Sequence, residues 1–159
     1  MRALVKQTAG TGMELRDVPT PACGPHEVLI KVHYAGVCGT DLHIWEWDAW
    51  ARNRLKPPVV IGHEFSGEIV ELGADAESAG LLEVGDLVTA EGHIICGHCV
   101  PCRTGDFHVC HRTQIIGVDR DGAFADYIAM PASNVIRLDG IPAEIGAIMD
   151  PIGNAVHTV

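Results

Sequence analysis

Aromatic side chains are scarce in this 159-residue sequence, at 5% of residues. Basic side chains are scarce as well: 11 Lys and Arg stand against 21 Asp and Glu, for a net charge of −10. That balance argues against a nucleic-acid backbone or an anionic membrane as a partner. The acidic residues are scattered, so they form no acidic tail. No stretch approaches the run of about 18 apolar residues that a membrane-spanning helix needs. The opening MRALVKQTAG lacks the apolar centre of a signal peptide. Internal repeats and low-complexity tracts are missing too. These absences lead us to expect a soluble, unexported, cytoplasmic chain. In that reducing setting its six cysteines are expected to be metal ligands or catalytic groups rather than disulfides.

What is abundant is glycine (18) and proline (nine), set among short Val/Ile/Leu runs. The combination predicts mainly β structure with many turns. The length suits one domain, which can bury roughly 70% of the surface its unfolded chain exposes. MRALVKQ and MELRDVP read as strands around the turn TAGTG. EVLIKVHYAGVC alternates, with Val28, Ile30, Val32 and Tyr34 on one face and Lys31 and His33 on the other. TDLHIWEWDAWARNRL reads as a helix with Thr40 as a possible N-cap. VVIGHEFSGEIVELG predicts strand, tight turn and strand; GDLVTA, GAFADYIAMP and NVIRL predict further strands. The cysteine-rich segment shows no regular element. The apolar end, IPAEIGAIMDPIGNAVHTV, reads as helical, with Pro142 near a helix start and Pro151 as an interruption.

Four of the cysteines lie between Cys96 and Cys110 in the spacing C-x2-C-x2-C-x7-C. Four thiolates this close suit a tetrahedral structural zinc, which has no open position and does no chemistry. An iron–sulfur cluster is the rival metal, and a disulfide pair is the metal-free alternative. His93, His98, His108 and His111 stand nearby as substitute ligands. A second constellation is Cys38 in GVCGTDLHIW and His63 with Glu64 in VIGHEFSGEIVELG. Cys38, His63 and Glu64 supply the mixed S, N and O donors of an open catalytic zinc. The bland alternative is a buried thiol and a satisfied histidine. Glu64 is awkward, because adjacent residues on a strand point to opposite faces; it serves either from a turn or behind the ligands.

Glu68 follows four residues after Glu64 in GHEFSGEIVELG. With CGTDLH, the four-cysteine loop and VGDLV, this order of motifs resembles the medium-chain, zinc-dependent alcohol dehydrogenase family along essentially the whole chain. CGTDLHIWEWDAW, GHEFSGE, EGHIICGHC and DPIGNAVHTV are similar to its L-threonine 3-dehydrogenase branch, and sorbitol and butanediol dehydrogenases share much of the pattern. The resemblance implies a GroES-like, partly closed β-barrel with few short helices and a zinc-binding loop. It implies that Cys38, His63 and Glu64 hold a catalytic zinc and that Cys96, Cys99, Cys102 and Cys110 hold a structural one. It further implies that Thr40 and His43 relay a proton and that Asp150 lies near the catalytic zinc. Zinc polarises an alcohol oxygen, and hydride passes to a nicotinamide such as NAD. A histidine titrating near neutrality can deliver the alcohol's proton to solvent.

The alternatives from the residues alone stay in view. Thr40 could simply cap a helix. Trp45, Trp47 and Trp50 could be core or interface packing rather than a substrate-pocket wall. Asp150, beside a proline, could be a turn former rather than a partner for the metal or for a substrate ammonium. A dinucleotide fingerprint is missing: Gly10 and Gly12 begin G-x-G-x-x-G, but Leu15 occupies the third glycine's place. The expectation is a catalytic domain over residues 1–149, with 150–159 opening a helical connector to a Rossmann NAD-binding domain outside the chain. The isolated chain is then expected to hold zinc without turning over its small secondary alcohol, L-threonine, and the complete enzyme to be a homotetramer. A non-catalytic zinc-binding module is the reading from another class.

Overall fold

The computed structural model describes residues 1–159. Its centre is β3 (Glu27–Gly36), the strand whose alternation is plainest in the sequence. It pairs antiparallel on one side with β5 (Glu64–Leu72) and on the other with β9 (Tyr127–Pro131). β6 (Leu87–Ala90) continues the sheet from β5, and β10 (Val135–Arg137) closes it, giving the order β10-β6-β5-β3-β9. A smaller sheet of β1 (Arg2–Lys6), β2 (Glu14–Asp17) and β4 (Val59–Val60) runs in the order β2-β1-β4. A third ladder joins β7 (His93–Ile94) to β8 (Gln114–Ile115). The chain is thus mainly β, as expected, but its ladders do not close into a barrel: β9 and β10 are edges of the large sheet.

The main core lies on one face of that sheet and includes Val28, Ile30, Phe65, Ile69, Val88 and Met130. Tyr34 departs from the predicted alternation and is 49% exposed. The register of β3 against β5 shifts between Val32 and Tyr34, and a bulge there moves the later side chains to the other face. Helix α5 (Ala143–Gly146) packs across β3, β5 and β6.

The expected single helix after Cys38 is two: α1 (Gly39–Glu46) and α2 (Ala49–Arg54). Trp47 breaks them in the left-handed region, with φ 56°. A buried cation accounts for its setting. Lys6, fully buried, donates to the carbonyls of Gly10 and Gly12 and stands 4.9 Å from the Trp47 ring, an attractive cation–π geometry. The same bonds make Gly10 and Gly12 a pinned hairpin loop between β1 and β2, not the mouth of a nucleotide site. Ile44 and Ala51 then bury with Leu55, Val59, Ile61 and Val118 in a second core.

Two other expectations need correction. The cysteine-rich segment does contain regular structure: α3 (Ala74–Ala79) precedes it, and within it lie α4 (Val100–Thr104) and a 3-10 turn, Phe107–Val109. Pro101 sits in the first turn of α4, where a missing N–H costs nothing. Likewise Pro151 does not interrupt the terminal helix but lies in the first turn of α6 (Met149–Thr158). No helix is long and apolar enough to cross a membrane.

Candidate metal centres

The end of β3 carries the first centre. Cys38 is the N-cap residue of α1, in extended conformation. Its backbone N–H donates to Asp41 Oδ2 at 2.9 Å, while the Asp41 N–H returns to the Cys38 carbonyl at 3.0 Å. Thr40 is therefore not the cap; it is the second residue of α1, its Oγ1 3.8 Å from Cys38 Sγ. His63 precedes β5 rather than belonging to it, and Gly62 before it takes φ 93°. This turn removes the objection to Glu64: one neighbour is in a turn, the other opens a strand, so both side chains can face one point. One ligand atom each from Cys38, His63 and Glu64 falls within a common separation of 4.8 Å.

The set is buried enough to matter. Glu64 is 7% exposed, and an unpaired carboxylate is costly there. His63 Nδ1 and Asp41 Oδ1 are buried without a hydrogen-bond partner. Burial raises the Asp41 carboxyl above its ordinary range, opposed by the Cys38 amide and the charge of His63. Polar atoms left short of partners around S, N and O donors fit a divalent cation of the zinc type. Three protein donors leave one tetrahedral position open, as chemistry on a bound small molecule requires.

Gly36, absent from the sequence-level reading, makes room for this arrangement. It is the register partner of Glu64 across β3 and β5. A Cβ at Gly36 would collide with Glu64 Oε2 and come 3.1 Å from the Glu64 Cβ. We expect Gly36→Ala to push the Glu64 carboxylate out of the set and weaken metal binding there by about 10-fold or more (about 1.4 kcal/mol), with the four-cysteine site unaffected. Competition titration against a zinc chelator reads this directly, and an unchanged affinity would contradict the role of Glu64.

Around the centre, the remaining candidates divide. His43 lies one turn beyond Thr40 on α1, and its Nδ1 is 2.7 Å from Asp48 Oδ2. Trp45 and Trp50 are 48% and 41% exposed, whereas Trp47 packs inward against the second core. The three tryptophans thus do not form one wall. Asp150, in the first turn of α6, is outside the Cys38–His63–Glu64 set. His93, beside the cysteine loop, has its pKa raised first by its 2.7 Å hydrogen bond to Glu91 and further by the charges of Glu91 and Asp150. In the sequence His93 is a spare ligand for the cysteine loop; in the structure its ring is engaged by Glu91, two residues before it.

The second centre is the cysteine loop. Cys96, Cys99, Cys102 and Cys110 bring four Sγ atoms within 4.8 Å of one another. Cys99 lies 3.4 Å from Cys102 and 3.9 Å from Cys110. A tetrahedron with Zn–S near 2.3 Å sets its sulfurs about 3.8 Å apart, so the spacing suits a single ion. All six cysteines stand as free thiols. Two of the four nearby histidines are occupied elsewhere: His98 bonds the Cys96 carbonyl and Arg112, and His93 bonds Glu91; none of the four belongs to the set of converging donors. Amide donors from Cys96 and Arg112 hold the Cys110 thiol down at about 6, while burial and the neighbouring thiols push Cys102 up to about 12. Part of the ligand charge is therefore favoured by the backbone before any metal arrives.

Residues 24–140 match the family model of the alcohol dehydrogenase GroES-like domain. The whole chain is 51% identical to an L-threonine 3-dehydrogenase of Bacillus licheniformis, of which it covers 45%. It is 54% identical to an L-threonine 3-dehydrogenase of Caldanaerobacter subterraneus, again covering 45% of that protein. Galactitol-1-phosphate dehydrogenase of Escherichia coli has a similar structure, with TM-score 0.87 and 31% identity over 99% of this chain and 44% of that one. The chain spans less than half the length of these relatives. A family match over most of the sequence, a mainly β structure and a family-like order of motifs agree, and the chain belongs to the alcohol dehydrogenase GroES-like domain family.

Proposed function

We propose that the chain is the zinc-binding catalytic domain of an NAD-linked L-threonine 3-dehydrogenase. The observation that carries this reading is the convergence of Cys38, His63 and Glu64 within 4.8 Å beside Thr40. A second set of four thiolates, closed to substrate, would fold the loop around it. When bound at the first set, zinc supplies Lewis-acid polarisation of an alcohol oxygen. The protein's own groups do the rest. Glu64, Cys38 and His63 hold the ion, and Gly36 keeps the space that Glu64 needs. The Thr40 hydroxyl takes the alcohol's proton as it gives up its own, and His43, half-exposed at the next turn, hands that proton to water. Asp150 offers a carboxylate to the ammonium of an amino-acid substrate. The relatives' names and the identity of about half the residues support threonine as that substrate.

In this proposal residues 1–149 form the catalytic domain, and 150–159 begin a helical connector to a nicotinamide-binding domain. The complete enzyme works as a homotetramer in the cytoplasm, where free thiols persist. The test is a substrate panel on the complete protein with its zinc content confirmed: L-threonine, sorbitol and 2,3-butanediol, each with NAD and with NADP. Threonine-dependent NADH formation well above the two polyols is expected. A preference for either polyol would place the enzyme in the polyol or diol branch, and no oxidation of any would favour a non-catalytic zinc module.

A further inference from the structure

We propose that Asp48 is a positioning residue for His43: it holds the hydrogen of the neutral ring on Nδ1 and leaves Nε2 as the atom that takes the relayed proton. The inference rests on the relay role given to His43 above, and on a geometry that exists apart from it.

The two carboxylate oxygens of Asp48 do different jobs. Oδ1 accepts the Ala51 N–H at 2.9 Å and caps α2. Oδ2 lies 2.7 Å from His43 Nδ1. The cap fixes the carboxylate, and the fixed carboxylate then fixes the ring. The chain path makes this possible. Trp47, at φ 56°, turns the backbone sharply between the helices, and the Asp48 N–H donates to the His43 carbonyl at 3.3 Å. Asp48 is thereby folded back over the last turn of α1. Trp50, on the same helix that Asp48 caps, sets its ring 6.2 Å from the His43 ring at a tilt of 57°. One short helix therefore presents both a charge and an aromatic face to the histidine.

The chemistry follows from the charge state. The Asp48 carboxyl is held below its ordinary range, first by the Ala51 amide and then by His43. An ionised carboxylate only accepts hydrogen bonds. Its partner nitrogen must therefore carry the hydrogen, and the lone pair of the neutral imidazole is left on Nε2. During the relay, Nε2 gains one proton, the ring becomes an imidazolium beside the Asp48 carboxylate, and Nε2 then loses that proton to water. Asp48 stays ionised throughout. If Asp48 were only a helix cap, its second oxygen would have no bearing on the ring.

Asp48→Asn separates the two roles. Asparagine caps a helix about as well as aspartate, so α2 is kept. Its amide NH₂, turned toward His43, is a donor, so Nδ1 must become the acceptor and the hydrogen must move to Nε2. The measurement is ¹⁵N–¹H correlation of the His43 ring at alkaline pH, on the 159-residue chain loaded with zinc, with the signal identified by its loss in His43→Gln. The expected result is the Nδ1–H tautomer in the native chain and the Nε2–H tautomer in Asp48→Asn. The native chain alone decides the first point, so a variant that folds poorly cannot rescue the idea: an Nε2–H tautomer there overturns it. An unchanged tautomer in a folded Asp48→Asn overturns it as well. In the complete enzyme, Asp48→Asn is expected to lower threonine turnover by about 10-fold or more, within the roughly 10²–10⁴-fold that a general acid–base group supplies, and to change the pH profile at constant zinc content. Normal turnover with an unchanged profile would overturn the positioning role even with the tautomer as expected. A complete, zinc-loaded protein that oxidises no alcohol, yet shows the Nδ1–H tautomer, would instead sink the dehydrogenase reading and leave the Asp48–His43 arrangement standing.

Discussion

Cys102→Ser is expected to remove one zinc from each chain and to unfold residues 93–112, while the site at Cys38 keeps its metal. Little else holds that loop. Its base is the two-residue ladder of β7 with β8, and its body is one short helix and a 3-10 turn. Val100, Phe107 and Val109 are 72%, 51% and 52% exposed, so the loop has almost no apolar core of its own. Cys102 is one of its two buried cysteines, and its sulfur sits 3.4 Å from that of Cys99. Structural zinc in small peptides is worth an apparent 10–16 kcal/mol or so, more than backbone contacts of this kind could replace. Metal analysis together with amide hydrogen exchange over 93–112 checks the outcome. Two tightly held zincs in the variant, or unchanged protection of the loop, would contradict it.

Cys38→Ala is expected to remove the other zinc and leave the fold intact. The N-terminus of α1 does not depend on the thiol, because Asp41 Oδ2 accepts the backbone N–H of residue 38. The four-thiol loop lies elsewhere and should keep its metal. In the complete protein, turnover should fall by at least about 10³-fold. Lewis-acid stabilisation of developing charge is worth several kcal/mol, and about 1.4 kcal/mol is a factor of ten in rate. Normal turnover in a variant shown to lack that zinc would remove the metal from the reaction.

Much of this molecule is legible in its sequence, for physical reasons that differ from residue to residue. β3 could be read because burying one face of a strand enforces alternation, and the reading failed at Tyr34 because a bulge is a property of two strands. The cysteine loop could be read because four donors at close spacing have few other uses. Its helix α4 could not, since five residues carry no period to detect. The break at Trp47 is accompanied by a contact from Lys6, some forty residues earlier, beneath the indole, and no local pattern reports it. Pro151 looks like a helix breaker until the helix boundary is known; two residues past the start, it is an ordinary first-turn residue. Gly36 mattered only once its pairing with Glu64 was visible. Asp48 fell inside what reads as one continuous helix, so its cap of α2 and its second oxygen, 2.7 Å from His43, became visible only in the structure.

Two chemically distinct zinc sites, one open and one closed, are expected to share this chain. Zinc counted per chain before and after dialysis against a moderate chelator tests this most directly. Two equivalents at the start and one after dialysis, with the lost zinc restored on re-addition, is the predicted result. A single equivalent that resists the chelator throughout would contradict it, leaving only the cysteine loop as a metal site.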